Sequence, residues 1–81
     1  MRALLADRFV KSFIAAPPEV QRAFGKQLAN LLRNLRHRSL DAKKYDERHD
    51  VWQARVNGGW RFYFRIEGDT YHMLDIIPHP K

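Results

Sequence analysis

The sequence predicts an α+β fold: an antiparallel β-sheet of about four strands, covered on one face by an N-terminal α-helical hairpin, in the order β-α-α-β-β-β. Three observations carry this. Residues 51–56 and 60–66 alternate bulky apolar with polar side chains, the period of strands buried on one side only. Val20, Phe24, Leu28, Leu31, Leu32 and Leu35 recur instead at helical spacing. Pro17-Pro18 separates that stripe from a shorter one at Phe9, Val10, Phe13 and Ile14, so two helices precede the strands.

In chain order, Arg2-Ala3-Leu4-Leu5-Ala6 is short and apolar and predicts a first strand. Asp7 is placed to N-cap a helix running through about Ala15. Proline in the first turn and Glu19 just after it suit the start of the second helix. Gly25 weakens that helix by about 1 kcal/mol relative to alanine, unless close packing needs the gap. The helix ends in Arg33, Arg36, His37 and Arg38, cations that the helix dipole favours and that could also meet phosphates. Residues 39–50, including Lys43, Lys44, Asp46, Glu47, Arg48 and His49, are polar and mixed in charge and read as a connecting loop.

The central hairpin closes through Asn57-Gly58-Gly59, and its register decides what faces what. A two-residue turn pairs Val56 with Gly59 and sets Ala54 opposite Arg61, which mixes polar with apolar. A three-residue turn, with Gly59 left-handed, pairs Val56 with Trp60, Ala54 with Phe62 and Trp52 with Phe64. The other face then sets Arg55 opposite Arg61 and Gln53 opposite Tyr63, with Arg65 near Val51. Like charges directly opposite cost roughly a few tenths of a kcal/mol up to about 1. A fold seeking only stability would not pair two guanidiniums; a site that holds a phosphate would. The plainer alternative is two long side chains splayed into water. After the hairpin, Glu67-Gly68-Asp69 makes a tight turn and residues 70–77 form a last strand. Its alternation is poor, so its core-facing parity stays open. Pro78 and Pro80 end the pairing.

At 81 residues, 1–81 is one small domain, able to bury roughly 60–65% of its unfolded surface. With no cysteine, neither disulfides nor a thiolate zinc site is available, and a cytoplasmic location is expected. No apolar run approaches the ~20 residues that span a bilayer and no signal peptide is visible, so no membrane partner is expected. Fifteen Lys and Arg against nine acids give a net charge of +6, which favours a polyanionic partner. The four histidines lack metal-ligand spacing, Gly58-Gly59 is not a phosphate loop before a helix, and Ser12 and Ser39 lack a nucleophile context. Neither metal nor cofactor is therefore expected. Trp52, Trp60, Phe62 and Phe64 face the helices in this register and read as core, which leaves Tyr63 on the basic face to stack on a base.

The β-α-α-β-β-β order, the segments Val51-Trp52-Gln53-Ala54-Arg55-Val56 and Trp60-Arg61-Phe62-Tyr63-Phe64-Arg65-Ile66, and the ending Asp75-Ile76-Ile77-Pro78-His79-Pro80-Lys81 together resemble the RelE/ParE superfamily of bacterial type II toxin–antitoxin toxins. The RelE-like branch of that superfamily implies ribosome-dependent cleavage of mRNA in the decoding site. The ParE-like branch implies inhibition of DNA gyrase on the same fold. A degenerate module that binds an antitoxin without chemistry is a third reading. The partners implied are a cognate antitoxin protein, the ribosome with its rRNA, and mRNA.

By the same resemblance Arg61 matches the arginine at the scissile phosphate, and Arg55 falls where a strand lysine serves phosphate binding and proton transfer. His79 or Lys81 falls where the last strand supplies a further basic residue. Gln53 stands where a second lysine is implied, so one charge is missing. The tyrosine implied after the last strand has no counterpart before Lys81. Asp46 or Glu47 lies near the place of a carboxylate base. Gln53, Tyr63, Arg65, Lys43, Lys44, Arg36 and Arg38 complete the expected RNA-binding set. The implied chemistry needs no metal: deprotonation of a 2′-hydroxyl, stabilisation of the phosphorane, and protonation of the 5′ oxygen. Arginine stays protonated near pH 7, so Arg61 and Arg55 suit charge stabilisation. Histidine is the natural proton carrier, which points to His79, with Glu47 as the alternative base.

Overall fold

In the computed structural model, which describes residues 1–80, strand β1 (Arg2–Leu5) leads into helix α1 (Asp7–Ala15) and then helix α2 (Pro18–Arg33). One turn of 3-10 helix (Arg38–Leu40) follows. Four strands complete the chain: β2 (Lys43–Asp46), β3 (Val51–Asn57), β4 (Trp60–Glu67) and β5 (Thr70–Pro78). They form one five-stranded sheet in the order β1-β5-β4-β3-β2. β1 runs parallel to β5 and the other neighbours are antiparallel. The expected α+β class and helical hairpin hold, but the sheet is mixed and has five strands, not four. The added strand, β2, lies in the segment read as a loop. It is an edge strand whose Lys43-Lys44-Tyr45-Asp46 presents no apolar row, so only its pairing with β3 identifies it as a strand.

Both helices cover one face of the sheet. Phe9 and Phe24 meet at 5.0 Å, Phe24 meets Phe62 edge-on at 5.2 Å, and Phe64 packs against Phe62 at 5.6 Å. Leu31, Leu40, Met73 and Ile76 close this core. In α1, Ala6 rather than Asp7 occupies the N-cap, without a side-chain cap, and Asp7 complements the dipole from the first turn. The α1 stripe is wider than its contact: Phe9 is buried, but Ile14 is 70% exposed and Val10 lies at the surface. In α2, Val20, Phe24, Gln27 and Leu31 are buried while Leu32 points outward. The helix ends at Arg33, so Arg36, His37 and Arg38 lie beyond it. A Cβ at Gly25 would meet nothing within 4 Å, so packing does not require that glycine.

The hairpin register sets Trp52 opposite Phe64, Gln53 opposite Tyr63, Ala54 opposite Phe62 and Arg55 opposite Arg61, as the alternation demands. The turn itself differs from expectation. Trp60 pairs with Asn57 rather than Val56, and Gly59 is not left-handed. Val56 is the extra residue of a β-bulge, which lets a two-residue turn coexist with apolar-on-apolar register. The Asn57 side chain closes that turn by accepting the Gly59 N–H at 2.9 Å. A second bulge explains the poor alternation of β5. Asp75 pairs with Tyr63 and Met73 with Phe64, leaving Leu74 unpaired. Core-facing residues therefore change from odd to even numbers, Tyr71 and Met73 before the bulge and Ile76 after it. Among the described residues no helix is long and apolar enough to cross a membrane.

Candidate nucleic-acid interface

The face of the sheet turned away from the helices carries the predicted arginine pair. Paired residues on neighbouring strands share a face, and the flanking Ala54, Val56 and Phe62 are buried on the other one. Arg55 and Arg61 thus stand side by side near the turn end of the β3–β4 hairpin. No carboxylate of the described residues forms an ion pair with either. Arg61 Nη1 donates to the carbonyls of Asn57 at 2.8 Å and Trp60 at 2.9 Å, which fixes the guanidinium over the bulge. The Arg55 Nε is buried and bonds to no protein group.

Gln27 holds this corner from below. Its Nε2 donates to the Ser39 carbonyl at 3.0 Å and the Arg55 carbonyl at 2.9 Å, while its Oε1 accepts from Asn30 and from the Ser39 hydroxyl. β2 accompanies β3 only as far as the Lys43–Gln53 pair, so Arg55 lies beyond it and the helix supplies the donor instead. The sequence carried a signal for this positioning residue: a glutamine seven places after Val20, inside the apolar row of α2.

Two residues along from Arg61, the Tyr63 hydroxyl donates to Gln53 Oε1 at 3.1 Å. Its ring meets Tyr45 edge-on at 4.9 Å. Burial raises the Tyr63 phenol above the ordinary tyrosine value, helped by Tyr45 and Asp75 and opposed by Arg61. Beside the two rings lies a shallow depression of about 260 Å³, lined by Arg8, Tyr45, Val51, Tyr63, Leu74, Asp75 and Ile77. Asp75 pairs with Arg8 at 3.1 Å. Tyr45, Asp75 and Arg8 were not among the predicted site residues. A carboxylate inside Met73-Leu74-Asp75-Ile76-Ile77 was the one available signal.

The other predicted residues divide. The His79 N–H donates to the Gly59 carbonyl at 2.8 Å, which anchors its backbone beside the turn, one step beyond the Trp60–Pro78 pair and two beyond Arg61–Ile77. Lys43 pairs with Gln53 and belongs to the open face. Lys44 does not: it stands opposite Trp52 on the helix side, its Nζ 5.3 Å over that ring and 2.6 Å from Asp50. The Asp50 hydrogen bond raises its pKa. Glu47 sits in the turn after β2, at the Val51 end of β3, roughly 13 Å along the strand from Arg55. It is not brought to the arginine pair, because β2 carries it to the opposite end of the sheet. Asp46 beside it is taken up by His49 at 2.8 Å, which lowers its pKa. Arg65 pairs with His72 toward the β4–β5 turn, near Glu67. Arg36 and Arg38 line a separate hollow of about 240 Å³ with His37 and Asp41 at the α2–β2 corner. Lys81 lies outside the described residues.

No family model matches the sequence, and no curated protein matches it. Among solved structures the chain is similar to the YoeB/ParE toxin from Agrobacterium tumefaciens, with a TM-score of 0.81 and 12% identity over 99% of this chain and 100% of that one. It is also similar to a chain of the RelB-RelE antitoxin-toxin complex from Methanococcus jannaschii, with a TM-score of 0.74 and 22% identity over 93% of this chain and 88% of that one. A chain of the RelBE2 toxin-antitoxin complex from Mycobacterium tuberculosis matches with a TM-score of 0.77 and 17% identity over 96% of each. The fold is that of the RelE/ParE-type toxins.

Proposed function

We propose that this chain is the toxin of a toxin–antitoxin pair, an endoribonuclease that cuts ribosome-bound mRNA and is restrained by a cognate antitoxin. The fold likeness supports the toxin reading; the solved neighbours include toxin–antitoxin complexes by name. The observation that carries the chemistry is the Arg55–Arg61 pair on the open face, two guanidiniums without a carboxylate between them. Such a pair receives a phosphate and favours the dianionic phosphorane more than the ground-state diester. Arg61, held by two backbone carbonyls, is the preorganised donor. His79, tethered next to the turn, takes the 2′-hydroxyl proton or returns one to the 5′ oxygen. Gln53, Tyr63 and Lys43 line the path of the strand beyond the cut, and Arg36 and Arg38 meet more distant phosphates.

One observation favours a second reading. The Arg61 Nη1 group is already engaged by its own hairpin, which suits a binding module without cleavage as well as a resting enzyme. Single-turnover cleavage of a ribosome-bound message separates the two. The wild-type chain should cut, and Arg61→Ala should cut about 100-fold more slowly or worse, with only a modest loss of ribosome affinity. Arg61→Lys should recover part of the rate, since a point charge lacks the planar fork. Equal cleavage by a folded Arg61→Ala protein would remove the pair from the mechanism. Host DNA damage without mRNA cuts would select a gyrase-directed toxin instead.

A further inference from the structure

The depression beside the arginine pair has a composition of its own. Two tyrosine rings form one wall, Leu74 and Ile77 supply apolar surface, and the Asp75 carboxylate opens into it. The β5 bulge creates this arrangement: by skipping Leu74 it brings Asp75 directly opposite Tyr63. We propose that the depression is a guanine-binding subsite for the nucleotide adjoining the phosphate held by Arg55 and Arg61. The inference deepens the function proposed above and rests on it.

Position, size and chemistry agree on a base. Tyr63 is two residues from Arg61 on one strand, roughly 7 Å, a distance one nucleotide can bridge. A volume of about 260 Å³ gives room for a purine base. Tyr45 is 64% exposed, an aromatic face open to stacking. The bond from its hydroxyl to Gln53 fixes the orientation of the Tyr63 ring.

Asp75 selects which base. Its Oδ1 accepts the Ile76 N–H at 2.9 Å and its Oδ2 faces Arg8, yet each carboxylate oxygen keeps a further lone pair. A carboxylate accepts only, so it favours an edge offering two adjacent N–H donors. Guanine alone offers that, through N1–H and the exocyclic amino group. Adenine and cytosine each set a ring acceptor beside their amino group, and uracil flanks its one N–H with carbonyls. Arg8 does not close the site: its side chain is 83% exposed against 17% for Asp75, so it caps the carboxylate from the solvent side, where a base can displace or flank it.

The test is titration of the isotope-labelled chain with GMP, AMP, CMP and UMP, followed by NMR. GMP should bind about tenfold tighter than AMP, the scale of one bidentate pair, with shifts centred on Tyr63, Leu74 and Asp75. Asp75→Asn should abolish the preference. Tyr45→Ala, at an exposed position that leaves the core intact, should weaken all four. Equal binding of the four nucleotides, shifts centred on the Arg36–Arg38 corner, or full guanine binding by Tyr45→Ala would each overturn the assignment. Failure here is distinct from failure of the enzyme. Guanine binding by a chain that cuts no message would keep the subsite and sink the nuclease. Cleavage without guanine enrichment beside the cut, and without a GMP preference, would do the reverse.

Discussion

Tyr63 stands where the core chemistry and the open face meet, and its ionisation reports on both. Burial is the main cause of its raised pKa, with Tyr45 next, while Arg61 pulls the other way. Tyr71, on the helix side, is raised by burial alone. The folded state therefore favours the neutral phenol in both cases. The associated stability is complete below the ordinary tyrosine value of about 10 and is lost as pH rises through the raised folded value. Thermal melts should hold steady to about pH 9.5 and then fall. Tyr63→Phe removes one titrating group and should shallow that fall relative to wild type; an unchanged alkaline slope would place the loss elsewhere. The same phenol bonds to Gln53, so a Tyr63→Phe protein also tests whether that bond matters to the base wall.

At the scale of elements, two glycines separate helix propensity from turn geometry. Gly25 lies inside α2 with open space around its missing side chain, so Gly25→Ala should raise stability by roughly 0.5–1 kcal/mol. Gly68 has φ of 60°, the left-handed region that alanine enters only with strain. Gly68→Ala should lower stability by about 1 kcal/mol. Denaturant midpoints moving in opposite directions would check both. These elements were legible in unequal measure. The β3–β4 register could be read because Ala54, Phe62, Trp52 and Phe64 must all leave water together, and a slip would expose every one. The turn could not, since the bulge at Val56 gives the same facing pattern as a longer loop. β2 was illegible because an edge strand with lysines on both faces has no hydrophobic period to read. The open-face site was half legible. Opposed arginines follow from register alone, whereas the Tyr45–Tyr63–Asp75 grouping depends on β2 and on the β5 bulge, both hidden from periodicity.

Across the whole molecule the net charge of +6 is unevenly matched. Acidic residues are consumed locally: Asp41 lies near Lys43, Asp50 and Glu47 near Lys44, Glu67 near Arg65, and Asp75 near Arg8. Among the described residues Arg55 and Arg61 on the open face have no acidic partner, and neither do Arg33, Arg36 and Arg38 near the end of α2. Arg2, Lys11, Arg22, Lys26 and Arg48 also lack one. It is their grouping that makes the first two sets the candidates for a polyanion, and salt dependence tells those two apart. Each cation that neutralises a phosphate releases counterion, so log K falls with log salt by about 0.7 per contact for a single strand. A short oligoribonucleotide with blocked 2′-oxygens, held by Arg55, Arg61 and Lys43 and too short to reach the more distant Arg36 and Arg38 as well, should give a slope of about −2 between about 50 and about 200 mM salt. Arg61→Ala should flatten it by about 0.7, and Arg36→Ala with Arg38→Ala should leave it nearly unchanged. Fluorescence anisotropy across a salt series measures all three proteins directly. The reverse pattern, a slope that survives Arg61→Ala and collapses in the double variant, would put the strand at the α2–β2 corner. The open face would then be left without its phosphate, and the cross-strand arginines without their reason.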